Sequence, residues 1–451
     1  MAEFKTIARH AGTVLIGQMA VIAFSVADTV IAGRVSAQAL ATLSLASSIY
    51  ISIYVGLNGL IQALLPVWAE LRGAGRLQEI GQSVRQSLYI AGAAGLAGMA
   101  ALCFPDPWLR WTDVPPALWP DVQAYLRVLA LALIPSLLFR LYSTLNQSLG
   151  YPRLVTWLQA GALWVKVPLS ACLTLGLGGL PALGVVGCAW ATLTVNSLML
   201  LTGVWLLRTQ SIYHPYRLWQ RLEAPHGPTL RRFLRLGLPA GLSIMVEITS
   251  FTLMALFIAR LGADALASHQ IAANMAGVLY MMPLALGIAS SARTGYWLGA
   301  GQPARARQAA RTGLSLAMGL AIVSGCALWL SRQALAHLFT ADPAVALAAA
   351  AWLGWVAAYH VMDAVQTVCV FLLRCYRITL SPLVIYTLLL WGVGLYGGHV
   401  LAYQGLGPWA AQPSVGSFWL AGLCALTLVA LLFTGLLWRA MRSPAHGHTT
   451  H

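Results

Sequence analysis

Asp28, Glu247 and Asp363 lie inside long apolar stretches. A carboxylate near the centre of a bilayer costs roughly 2.5–3.5 kcal/mol on insertion scales, so chains keep one there when it faces a cavity, a partner or a transported ion. Three such groups point to the uptake and release of cations or protons within a membrane. Asp363 stands four residues after Tyr359 and three before Gln366. On a helix this spacing puts a carboxylate, a phenol and an amide on one face. Their oxygens suit a small hard cation such as Na⁺, or hold a proton between them. Glu247 has Ser243 and Ser250 on its own face. Two carboxylates in one low-dielectric pocket do not both ionise cheaply, so Glu247 and Asp363 together call for a proton or a cation.

Lys166 is one of two lysines in the chain and falls mid-span, with Pro168 and Ser170 close behind. A lone ammonium there is as costly as the acids, so it needs a partner. Asp28 is the natural candidate, and Arg34, six positions after Asp28, is a second possible mate for that acid. His269, Gln270 and Asn274 open the eighth span. They do not form a zinc motif, and interhelical hydrogen bonding or lining of a substrate path suits them better. His446, His448 and His451 read as a solvated tail. The seven cysteines sit in apolar segments without CxxC spacing and read as small buried hydrophobes.

The elements that position these groups follow from composition. Of 451 residues, 59% are hydrophobic and 9% charged, against about 25% charged in an ordinary soluble domain. This excludes a soluble fold and predicts an all-α polytopic membrane protein, because helices satisfy their backbone polar groups in lipid. Twelve spans of roughly 20 or more residues can be drawn. The first follows Lys5 and Arg9 without a small-residue cleavage site, so it reads as an uncleaved span. The net charge of +15 is no nucleic-acid signature, because nineteen basic residues fall in the inner connections and four (Arg34, Arg110, Arg260 and Arg332) in the outer ones. Arg374 is counted with the inner set. That bias predicts cytoplasmic N and C termini.

The longest polar connection divides the chain into residues 1–210, a cytoplasmic linker 211–235, and residues 236–451 with a short polar tail. The two large parts repeat at an offset of 226 residues. AGRVSAQALA at Ala32–Ala41 meets IARLGADALA at Ile258–Ala267, Gly73-Ala74-Gly75 meets Gly299-Ala300-Gly301, and Arg85 meets Arg311. Two six-helix bundles of like orientation are a parallel repeat, a design of transporters. The acids break the repeat: Asp28 aligns with Met254, and Glu247 with Val21.

The segments VADTVIAGRVS around Asp28, LPAGLSIMVEITSF around Glu247, ASHQIAANMAGVLYMMPLALGIASSARTGYWLGAG from Ala267 to Gly301, and YHVMDAVQTV around Asp363 resemble the multidrug and toxic compound extrusion (MATE) family, in its NorM-type branch. The resemblance implies a V-shaped transporter of twelve transmembrane helices in two pseudo-symmetric six-helix bundles. It implies a secondary active exporter of small organic cations and drugs, working by antiport with H⁺ or Na⁺ through alternating access in the bacterial inner membrane. No cofactor beyond the coupling ion, no nucleic acid and a monomer in the lipid bilayer are expected. The family's positions fall on Asp28, Glu247, Asp363 and Tyr359, with a possible Na⁺ held by Glu247, Asp363 and Tyr359. Asp342 matches an acidic position in the preceding outer loop. Lys166-Val167-Pro168-Leu169-Ser170 departs from the asparagines that relatives carry in the fifth span.

An alternative is a flippase for lipid-linked saccharides, whose pyrophosphate wants a cationic cavity. Arg127, Arg140, Lys166 and Arg293 are its only candidates, set against three buried acids. No P-loop, GxSxG or HExxH motif is present, so ATP hydrolysis and the commoner hydrolytic chemistries have no sequence support. The chain reads as no enzyme.

Overall fold

The computed structural model describes residues 2–106, 118–179, 181–340, 342–405 and 410–442. The tail with His446, His448 and His451, and the outer Arg110, lie outside the described residues. Within them the helices run α1 Ala2–Val35, α2 Ala37–Gln62, α3 Leu65–Gly73, α4 Leu77–Cys103, α5 Trp119–Leu149, α6 Pro152–Leu175 and α7 Val186–Thr209. They continue as α8 Gly227–Ala259, α9 Ala263–Gly299, α10 Pro303–Phe339, α11 Pro343–Cys375, α12 Leu380–Tyr386, α13 Gly397–Tyr403 and α14 Val415–Arg442. Among the described residues, twelve stretches are long and apolar enough to cross a membrane, with α2 and α3 forming one and residues 380–403 another. This is a multi-pass, all-helical membrane protein.

Local chemistry sets the breaks. Ser36 accepts a hydrogen bond from the Ala39 N–H and opens α2, as a short polar side chain does at a helix start. Pro66 sits in the first turn of α3. Proline disfavours a helical residue before it and offers no N–H of its own, which separates α3 from α2 within one span. Between α12 and α13, residues Thr387–Tyr396 wind as a π-helix. Gly392 and Gly394 lie in this stretch, and Gly397 and Gly398 follow it.

The described residues form two compact units, residues 13–241 and residues 1–12 with 242–451. In the first, α5 is the central helix, packed against α2, α4 and α7. Its core runs through Leu126, Leu133 and Leu137, all buried. Gly237 and Gly241 of α8 lie over α2, where a Cβ at Gly241 would stand 2.3 Å from the Gly56 carbonyl oxygen. The absent side chains are what let the two backbones approach. The polar connection after α7 is pinned to α4. Arg85 donates to Glu223 at 2.5 Å and to the Arg217 carbonyl at 2.7 Å, and Tyr89 donates to the Glu223 carbonyl at 2.8 Å.

In the second unit α11 plays the part of α5, packed against α9, α10 and α14. It is the most buried span of the described chain. The 226-residue offset carries Leu137 of α5 onto Asp363 of α11. The duplicated scaffold therefore holds an apolar core side chain in one unit and a carboxylate in the other.

Candidate functional site

The acid of the first unit is already answered by the chain. Asp28 on α1 and Lys166 on α6 are 8% and 1% exposed. Lys166 Nζ lies 2.9 Å from Asp28 Oδ2. It also donates to Thr192 Oγ1 at 2.8 Å and to the Cys188 carbonyl at 3.0 Å, both on α7. An ammonium has three donors and all three are engaged. The second oxygen of Asp28 accepts from Ser170 Oγ at 2.8 Å. Ser170 stands one helical turn after Lys166, so one face of α6 serves both oxygens. Lys166, and not Arg34, is the partner of Asp28.

The acids of the second unit are arranged differently. Asp363 of α11 is 5% exposed, while Glu247 of α8 is half-buried. The Gln366 amide joins them, its Nε2 lying 2.9 Å from Asp363 Oδ1, 3.1 Å from Glu247 Oε1 and 3.1 Å from Thr367 Oγ1. Two N–H groups thus face three acceptors. The Tyr386 hydroxyl of α12 donates to Gln366 Oε1 and fixes which way the amide points. Trp391 Nε1 donates to the Val246 carbonyl at 3.2 Å and Tyr403 to the Phe257 carbonyl at 2.8 Å, which steadies α8 on either side of Glu247. Glu247 lines a cavity of about 10 Å³ with Ser243, Tyr280, Thr367, Arg374 and Tyr386. The result is two carboxylates bridged through one neutral amide, with hydroxyl oxygens around them. Such a set offers hard oxygen ligands to a small cation, or a place for a shared proton.

The MatE family profile matches residues 14–172 and 239–398, one segment in each half of the chain. This chain belongs to the MatE family. It is 39% identical to a probable multidrug resistance protein NorM of Aromatoleum aromaticum, over 98% of this chain and 95% of that protein. It is 33% identical to the multidrug resistance protein PmpM of Pseudomonas aeruginosa, over 98% of this chain and 92% of that one. Its backbone superposes on the Vibrio cholerae MATE transporter VcmN in the bent form with a TM-score of 0.84 at 17% identity, covering 98% of each chain. At that identity the structural likeness shows the fold alone.

In this MatE chain the other expected site residues go to separate places. The ring of Tyr359 packs edge-on against Phe251 and Trp419, at centroid distances of 5.8 and 5.7 Å. With Met254, Leu390 and Phe418 it lines a second cavity of about 30 Å³. Its helical spacing to Asp363 is as expected, but its ring belongs to this aromatic cluster. Asp342 caps α11, accepting from the Ala344 and Val345 N–H groups at 2.8 and 3.3 Å just before Pro343. Gln270 and Asn274 are exposed on α9. His269 is buried beside Trp419, and its Nδ1 has no hydrogen-bond partner. Of the basic residues that a pyrophosphate cavity needs, Lys166 is paired with Asp28 and Arg293 with Glu3.

Sequence reasoning missed Tyr280, Thr367 and Tyr386 beside the acid pair. They are ordinary residue types in apolar helices, and only packing singles them out. Arg374 is a correction. The sequence groups it with inner-connection charges, yet it is 2% exposed at the end of α11. A position near a span's end gives no information on which way the side chain turns.

Proposed function

We propose that this protein is a secondary active multidrug exporter that expels small organic cations by antiport with H⁺ or Na⁺ bound at Glu247 and Asp363. The observation that carries the reading is the pair of intramembrane carboxylates bridged by Gln366, one of which, Glu247, lines a small cavity. The family membership and the names of its relatives support the drug-export half. Asp28 differs from the pair, because Lys166 stands where a mobile cation would bind. Exchange is therefore assigned to the second unit, with Asp28–Lys166 as a fixed station.

Cation or proton occupancy of Glu247 and Asp363 lowers the local negative charge and so weakens the hold on a cationic drug. The coupling is reciprocal: a drug that is released by ion binding must loosen the ion by the same factor. With one monovalent cation entering for each singly charged drug that leaves, no net charge crosses, so the ion's concentration gradient drives export, and a tenfold gradient, worth roughly 1.4 kcal/mol, sustains about a tenfold drug gradient when fully coupled. The protein is read as a monomer in a bacterial inner membrane, with both termini cytoplasmic.

The test is ethidium efflux from vesicles with pH and Na⁺ gradients imposed separately. One gradient should drive efflux, and Glu247→Gln and Asp363→Asn should each abolish it. Gradient-driven efflux at parental rate in both variants overturns the assignment.

A further inference from the structure

Arg374 lies in the last turn of α11 and is buried. Its guanidinium carbon sits 4.5 Å from the centre of the Phe371 ring, and its Nε and Nη1 have no hydrogen-bond partner. Two nitrogens without a hydrogen-bond partner on a buried charge are unusual, because an ion removed from water costs several kcal/mol unless charge or hydrogen bonds replace the water. An arginine keeps its proton in a protein interior. Arg374 therefore carries a permanent positive charge into the interior. It lines the same small cavity as Glu247, and Gln366 joins Glu247 to Asp363. The carboxylate that faces Arg374 across this cavity is Glu247, and Asp363 is tied to it through Gln366.

The two units can then be compared by charge. In the first, one carboxylate and one ammonium are in contact at 2.9 Å and the sum is zero. In the second, two carboxylates share one guanidinium that is parked on Phe371 and bonded to neither. That leaves one negative charge unanswered and a cavity of about 10 Å³, room for roughly a single water-sized occupant. We propose that Arg374 is the fixed counter-charge of the Glu247–Asp363 pair and limits it to one monovalent cation per transport cycle. The proposal rests on the reading of that pair as the coupling site. Without Arg374 the pair carries two unanswered charges and becomes a site for two monovalent cations or one divalent cation, the hard oxygen-seeking class that favours paired carboxylates.

Two measurements on the purified full-length protein test this. In proteoliposomes, the ethidium gradient that just halts flux at a set membrane potential gives the cation-to-drug ratio. The parent and Arg374→Lys should exchange one cation per drug, and Arg374→Gln two. In detergent, calcium chloride should raise the melting temperature of Arg374→Gln and leave the parent and Arg374→Lys unmoved. The rise should vanish in Arg374→Gln/Asp363→Asn. Should Arg374→Gln purify poorly, a calcium-dependent recovery of its folded yield reads the same property. A merely structural arginine predicts no new calcium response. If Arg374→Gln ignores calcium and keeps a ratio of one while Glu247→Gln and Asp363→Asn abolish coupling, the counter-charge role is overturned. If those two acid variants retain coupled efflux, the underlying site assignment fails instead.

Discussion

Replacing Lys166 by methionine keeps most of the side-chain volume and removes the charge. The ammonium fills its three donors with Asp28, Thr192 and the Cys188 carbonyl. In Lys166→Met, Asp28 keeps the Ser170 hydroxyl and the weak Cys188 thiol, loses its cation, and becomes an uncompensated buried charge. Thr192 is unaffected, because it also donates to the Cys188 carbonyl at 2.9 Å. Removing one partner of a buried pair costs about 3–5 kcal/mol. For a unit of this size that corresponds to roughly a 10 °C fall in melting temperature. Asp28→Asn leaves the ammonium unanswered and should cost a similar amount. The double variant strands no charge, and the new amide on α1 can still meet Ser170, so it should sit well above the sum of the singles. The expected coupling energy is about 3 kcal/mol, the lower end of that range. The measurements are melting temperatures in detergent for the four proteins, with ethidium efflux as a second readout. Additivity within about 0.5 kcal/mol refutes the pair as an energetic unit.

Gln366→Leu should uncouple Glu247 from Asp363 and lower efflux at least tenfold with near-parental yield, whereas wild-type efflux in this variant would remove the amide from the site. Gly241→Leu should abolish folded yield in size-exclusion profiles, because its Cβ alone meets the Gly56 carbonyl at 2.3 Å; a normal profile would show that α2 and α8 can part without cost. The Arg85 hydrogen bond holds the Glu223 carboxyl below its ordinary 4.5. A carboxylate favoured by folding contributes above its unfolded value and loses that contribution as pH falls through the folded one. Hydrogen exchange of residues 217–226 should therefore quicken only below about pH 4.5, relative to intrinsic rates. In Arg85→Ala it should already be fast at pH 7.

The twelve spans were legible because a long apolar run has few other fates. The acids were legible because charge in such a run is conspicuous, and the Asp363–Gln366 contact followed from helical spacing. Lys166 with Asp28 could be paired by elimination, since few cations lie mid-span. What sequence withheld was rotation and depth. Arg374 looks like a connection charge until α11 is seen to turn it inward. Tyr359 has the right spacing to join Asp363, yet the bulk of Phe251 and Trp419 claims its ring. Asp342 resembles a site acid, but it also fits a helix start before proline, and that local use prevails. The π-helical stretch Thr387–Tyr396 is as apolar as its neighbours, so no pattern announces it.

A cation carried on a four-carbon stem cannot be diluted. Its local concentration at Asp28 is set by the backbone of α6 and stays constant whatever salt surrounds the cell. The first acid therefore brings its own cation, and the exchange of ambient ions during turnover is left to the other half. Shortening that stem to alanine would open a socket of known chemistry, shaped for a primary ammonium, into which a free alkylamine from solution should fit.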